Sequence, residues 1–233
     1  MARVWDISID PDAAIDAAAE AVADGRCIVL PTDTVYGIGA DATNAQAVQG
    51  LLDAKERGRD MPPPVLIAEV GMLRALTDDV SPDMLALAEA FWPGALTVVV
   101  PAHPHLRMDL GDRGETIAVR VPDHDFTRDL LRATGPLAVS SANVSGHPAA
   151  TTVAEAREQL GKRVKVYLDG GPAGAAVPST IVDLTGTEPR ILREGRISRQ
   201  ELGTVLPALA PPAAPDSDAD APLIVDAAAP DEG

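Results

Sequence analysis

Residues 27–37 read Cys27-Ile28-Val29-Leu30-Pro31-Thr32-Asp33-Thr34-Val35-Tyr36-Gly37. The first four form a short apolar run, the composition of a buried strand. Pro31 has no N–H to give a ladder, so the strand ends there. Beyond it, hydroxyls, a carboxylate and a glycine gather at the strand's carboxyl edge, where open α/β sheets hold their ligands. The same residues also read as a polar turn with a helix cap. Upstream, Asp10-Pro11 supplies an N-cap and first helical turn, Gly25 a stop, and the helix between them is alanine-rich.

Helices and strands are interspersed along the next stretch of chain. Asn44 caps a second helix running to about Ala54, and Ser81-Pro82 opens another that Trp92-Pro93-Gly94 closes. Thr152 with Glu155, and Ser198 with Glu201, are capping boxes. Strand composition recurs at Val65 to Ala68, Leu96 to Val100, Thr116 to Val121, Leu137 to Ser140, Val164 to Leu168, Thr180 to Leu184 and Arg190 to Leu192. Several strand-to-strand steps are too short for a helix. A mixed parallel and antiparallel α/β sheet flanked by helices is therefore expected.

The chain has 233 residues, 46% apolar but only 3% aromatic, so aliphatic side chains must build its core. A formal charge of −16 argues against tight duplex nucleic-acid binding, though not against a small basic pocket. Six acidic and no basic residues lie between Pro207 and Gly233, a stretch rich in proline and alanine. It holds too little apolar surface to offset its ordering entropy. The expected organisation is one domain over 1–206 and a disordered acidic tail over 207–233. The single cysteine, Cys27, excludes an internal disulfide and fits a reducing cytoplasm. No apolar run approaches the roughly 20 residues of a membrane span, and residues 1–12 lack a signal-peptide pattern.

Four further stretches carry side chains suited to chemistry. Lys55-Glu56-Arg57-Gly58-Arg59 puts three cations at a helix end, either as favourable partners of the helix dipole or as a phosphate clamp. Thr116-Ile117-Ala118-Val119-Arg120-Val121 alternates, with Thr116, Ala118 and Arg120 on one face; an arginine beside a small residue and a hydroxyl suits an anion, or is an ordinary surface arginine. Ser140-Ser141-Ala142-Asn143-Val144-Ser145-Gly146 follows a strand with uncharged donors and acceptors, or forms a simple Ser/Asx turn. Ser179-Thr180-Ile181-Val182-Asp183 could be no more than a strand start. No P-loop or G-x-S-x-G occurs, and the G-x-G-x-x-A at Gly37 to Ala42 begins too far beyond its strand for a dinucleotide fold. His103 and His105 have no third ligand at metal spacing, and His124 and His147 fall in predicted turns.

Taken in order, P-T-D-T-V-Y-G, K-x-R, T-x-A-V-R-V-P, S-x-N-x-S-G, S-T-I-V-D and I-L-R-x-G-x-I resemble the YrdC family, from about Asp6 to about Leu206. The resemblance implies a twisted mixed sheet with a large concave cavity. It implies a nucleotidyltransferase, an L-threonylcarbamoyladenylate synthase, that joins L-threonine, bicarbonate or carbon dioxide, and ATP into threonylcarbamoyl-AMP and pyrophosphate. This is the first step of tRNA N6-threonylcarbamoyladenosine biosynthesis, with a tRNA threonylcarbamoyl-transferase complex as downstream acceptor. By resemblance, Lys55, Arg57, Ser141 and Asn143 form the pocket tetrad and contact ATP together with Thr116 and Arg193. Thr34, Arg120 and Ser179 match threonine-contacting positions. Mg²⁺ is expected with ATP, and no protein residue is expected to ligate a metal. The sequence departs from the family where Gly58 follows K-x-R and Arg59 to Val65 reads R-D-M-P-P-P-V, so the path of residues 58–64 is left open. A non-catalytic RNA-binding module is the alternative reading. A carbamoyl-transfer domain of a hydrogenase-maturation protein is disfavoured by the lack of a zinc-type cysteine pattern.

Overall fold

A computed structural model of the protein describes residues 2–211 except 113 and 175. The helices begin where side chains cap them. Asp10 accepts the Ala13 N–H at the start of α1 (Pro11–Ala23), and Asn44 accepts those of Gln46 and Ala47 before α2 (Ala45–Ala54). Ser81 caps α3 (Pro82–Phe91), and both predicted capping boxes form, at α5 (Val153–Leu160) and α6 (Arg199–Val205). One helix has no counterpart in the sequence reading: α4 (Asp125–Thr134). Its cap is His124, expected in a turn, whose ring accepts from the Thr127 N–H at 3.4 Å.

The strands are β1 (Arg3–Asp6), β2 (Ile28–Leu30), β3 (Gly37–Asp41), β4 (Val65–Leu66), β5 (Leu96–Pro101), β6 (Thr116–Arg120), β7 (Leu137–Ser141), β8 (Val166–Asp169), β9 (Thr180–Asp183) and β10 (Arg190–Arg193). They form one open mixed sheet in the order β1-β8-β2-β3-β7-β4-β6-β5-β9-β10. Parallel pairs are β1·β8, β8·β2, β4·β6 and β5·β9; the rest are antiparallel. β3 occupies the glycine-rich stretch that the sequence reading left without structure. Glycine is a poor strand former, but here small size is required. A Cβ on Gly37 would sit 2.6 Å from Val139 of β7, and one on Gly39 3.1 Å from Leu30 of β2.

Apolar side chains divide into three clusters. α1 and α4 pack Ala14, Ala18, Leu130 and Leu131 with Ile28, Leu30 and Leu168. α2 and α5 pack Leu51, Leu52, Ala156 and Leu160 with Val29, Ile38 and Tyr167. α3 and α6 cover the other half of the sheet, where Met84, Leu87 and Leu202 meet Leu96, Val98, Ile117 and Val119. The alternation predicted for β6 holds, since Ile117, Val119 and Val121 all enter this core. The expected domain end at Leu206 falls short. Pro207–Leu209 forms a 3₁₀ turn, and Leu209 is buried beside Leu202 and Leu206. The packed chain therefore continues through this turn; the rest of the predicted tail, 212–233, lies outside the described residues.

Candidate active site

A cavity of about 510 Å³ lies between the two halves of the sheet. Each element brings to it the residue at its end or on its inner face: Thr32 and Thr34 after β2, Arg57 after α2, Arg120 on β6, Ser141 and Asn143 at the end of β7, Ser179 before β9 and Arg193 on β10. Charged groups in it are mainly guanidinium groups, an arrangement made for anions.

At one corner stands Arg120, 5% exposed. Its Nε donates to the Gly94 carbonyl at 2.9 Å, Nη1 to Thr34 Oγ1 at 3.0 Å and Nη2 to Asp33 Oδ1 at 2.6 Å. Burial lowers its pKa, and the Asp33 carboxylate opposes that. Asp33 also accepts the Asp123 N–H at 3.1 Å, which joins the β2 edge to the approach of α4. Ser179 is buried nearby, within 2.9 Å of Thr97 Oγ1.

The part of the cavity around Arg57 is built differently. α2 ends in a left-handed turn: Glu56 has φ 53°, and the Arg57 N–H reaches back to the Leu52 carbonyl at 3.0 Å. This turn sends neighbouring side chains different ways. Lys55 is 1% exposed and points beneath the cavity floor, where its ammonium donates to the Ser141 carbonyl at 2.5 Å and the Asn143 carbonyl at 2.8 Å. Burial, then the charge of Arg57, pushes it down to about 8. Arg57 enters the cavity, donating from Nη1 to Ser140 Oγ at 3.0 Å, while its buried Nε has no partner. Arg193 links the two parts: its Nε and Nη2 donate to the Ser179 carbonyl at 3.1 and 2.8 Å, Nη2 reaches Ser179 Oγ at 3.2 Å, and its charge acts on both Arg57 and Arg120. Burial, chiefly, lowers the pKa of both arginines, and Arg57 and Arg193 repel one another. A polyanion in the cavity would relieve that repulsion.

Residues 20–195 match the family model Sua5/YciO/YrdC, described as "Telomere recombination". The chain belongs to the Sua5/YciO/YrdC family. A putative threonylcarbamoyl-AMP synthase of Mycobacterium tuberculosis is 50% identical over 192 residues, 82% of this chain and 88% of that one. The threonylcarbamoyl-AMP synthase of Bacillus subtilis is 37% identical over 84% of this chain, which spans only 57% of that relative. Among solved structures, Pyrococcus abyssi Sua5 complexed with L-threonine aligns with a TM-score of 0.81 at 34% identity, over 84% of this chain and 58% of that one. Escherichia coli YciO shares the fold, with a TM-score of 0.78 at 24% identity over 87% of this chain and all of its own.

Of the residues expected from the Sua5/YciO/YrdC resemblance, Thr34, Arg57, Thr116, Arg120, Ser141, Asn143, Ser179 and Arg193 all line the one cavity. Lys55 does not, and its ammonium holds the Ser141–Asn143 loop from below. The sequence reading assigned no role to Thr32, Asp33, Gly94, Thr97 or Ser140, which hold these side chains in place. Asp33 carried a signal, as the one carboxylate among hydroxyls just after a buried strand. Gly94 and Thr97 carried none, because they act through a carbonyl and a single hydroxyl. Residues 58–64, where the chain departs from the family pattern, form a wall. Pro62, Pro63 and Pro64 line the cavity beside Leu110. Arg59 fastens this wall to the 109–112 loop, pairing with Asp109 at 2.5 Å and Asp112 at 3.6 Å, and its carbonyl accepts the Asp112 N–H at 2.8 Å. Among the described residues no group of three His, Cys, Asp or Glu side chains is placed to hold a metal ion.

Proposed function

We infer that this chain is a threonylcarbamoyl-AMP synthase, an enzyme that makes threonylcarbamoyl-AMP and pyrophosphate from L-threonine, bicarbonate or CO₂, and ATP. The observation that carries this reading is one cavity that brings the enclosed Arg120, with Thr34 and Ser179, together with the cationic Arg57 and Arg193. Support comes from relatives of that name and from the L-threonine complex of the archaeal Sua5.

Threonine's neutral amine adds to CO₂ to give a carbamate and a proton, which passes to water, and the carbamate is unstable in open water. Held in the cavity, its carboxylate on Arg120, the carbamate oxygen faces ATP as a bound neighbour rather than by chance encounter. That oxygen attacks the α-phosphorus in line, the bond to the bridging oxygen breaks, and pyrophosphate leaves. Arg57 and Arg193 neutralise charge on the triphosphate, and the Ser141–Asn143 loop, fixed by Lys55, positions the nucleotide. Magnesium enters with ATP as part of that substrate. The carbamate is an anion when it attacks, so that step needs no side chain as general base. A tRNA threonylcarbamoyl-transferase takes up the product in the cytoplasm.

The test is pyrophosphate release from purified protein given MgATP. Release should require both threonine and bicarbonate, with a threonylcarbamoyl-adenylate mass appearing in step. Equal release without threonine would overturn the reading.

A further inference from the structure

We propose that Thr32, at the cavity wall, and Asp33, behind it, are positioning residues that fix which atoms around Arg120 and Thr34 donate and which accept. This deepens the threonine reading of that part of the cavity and depends on it. Thr32 Oγ1 donates its only proton to the Val35 carbonyl at 2.6 Å, because a carbonyl can only accept. In its 3.0 Å contact with Thr34 Oγ1, the donor is therefore Thr34. Thr34 Oγ1 also accepts from Arg120 Nη1 at 3.0 Å. With its proton committed to Thr32, Thr34 meets a ligand as an acceptor. It takes an N–H or O–H and repels a carboxylate.

Arg120 is the complement. A guanidinium carries five N–H donors, and Gly94, Thr34 and Asp33 take one each. One N–H remains on each terminal nitrogen, a pair that fits the two oxygens of one carboxylate. Asp33 stays outside the cavity lining and locks the guanidinium, while the Asp123 N–H at 3.1 Å keeps the carboxylate itself from turning. The corner thus presents two donors beside one acceptor. An α-amino acid supplies the matching set, with its carboxylate on Arg120 and its ammonium or side-chain hydroxyl on Thr34. Proton order runs one way, from Arg120 through Thr34 and Thr32 to the Val35 carbonyl.

Calorimetric titration of threonine and, separately, of ATP into the full chain tests this. Asp33→Ala should weaken threonine by roughly tenfold or more, while Asp33→Asn, which keeps an oxygen acceptor for Arg120 and Asp123, stays within about threefold of wild type. Thr32→Val frees the Thr34 proton and should weaken threonine by roughly three- to tenfold, and Thr32→Ser should restore it. ATP affinity should hold in all four variants. Unchanged threonine affinity in Asp33→Ala and Thr32→Val would overturn the proposal. So would parallel loss of threonine and ATP affinity that neither Asn nor Ser repairs, since that marks a general effect on the fold. A wild-type chain that binds no threonine would overturn the functional reading, and this proposal with it.

Discussion

Arg120 and Arg57 line the same cavity but are held in opposite ways. Arg120 is bonded to three segments of chain and nearly excluded from water, whereas Arg57 bonds one serine and leaves a buried Nε without a partner. The first is preorganised, so a small ligand is bound without reordering the groups that hold it. The second is held by a single hydrogen bond, to Ser140, and keeps more freedom to follow an anion. A site that takes a small amino acid and a large, flexible triphosphate needs both kinds of wall.

The sharpest break in this contrast is Arg120→Lys. A lysine cannot reproduce the fork or reach its three protein acceptors. A hydrogen bond to a charged group is worth about 1.5–3 kcal/mol, so threonine Kd should rise roughly 10- to 150-fold. The contact exists in ground and transition states alike, so steady-state kinetics should show the loss in KM and leave kcat nearly unchanged.

Next in size is the effect of Lys55, which lies under the cavity rather than in it. The pKa of its ammonium is lowered from its ordinary 10.5 to about 8, first by burial. Above about pH 8 the folded protein releases a proton that the unfolded chain keeps until about 10.5. Folding stability attributable to Lys55 therefore rises with pH over that window. ATP affinity should move the other way, falling by roughly tenfold as the charged bonds to the Ser141–Asn143 loop weaken. Melting curves and ATP titrations from pH 7 to 10 would check both signs, and Lys55→Met should abolish both dependences.

A smaller effect is expected at the wall. Gly111 has φ 112°, and a Cβ there would lie 2.5 Å from the Arg59 carbonyl. Gly111→Ala should cost about 1–3 kcal/mol in chemical denaturation and raise the KM for ATP several-fold by shifting Pro62 to Pro64. The Arg59–Asp109 pair is exposed and screened by water, so Arg59→Ala should do less. Least of all is expected from truncation after Pro211. The composition of 212–233 motivates turnover within tenfold of the full chain, about 1.4 kcal/mol of barrier. A larger loss would give the tail a part in the site.

Much of this was legible in the residues themselves. Caps at Asp10, Asn44, Ser81, Thr152 and Ser198 are local chemistry, so they were read correctly without tertiary information. β3 was not legible, because Gly37 and Gly39 are strand residues only for want of room beside Val139 and Leu30. Leu209 was hidden by the prolines and alanines around it, although burial against α6 overrides that composition. In the site, the family resemblance named side chains that line the cavity, but not that Lys55 points away from it. That depends on the left-handed backbone at Glu56, a conformation no sequence pattern announces for glutamate.

The most direct test of the account is a crossed titration. Threonine and ATP would each be titrated by calorimetry into wild type, Arg120→Lys and Arg57→Ala. The account predicts that Arg120→Lys loses threonine affinity and keeps ATP, and that Arg57→Ala loses ATP affinity and keeps threonine. Loss of ATP with intact threonine binding in Arg120→Lys would move Arg120 to the phosphate site and contradict the account.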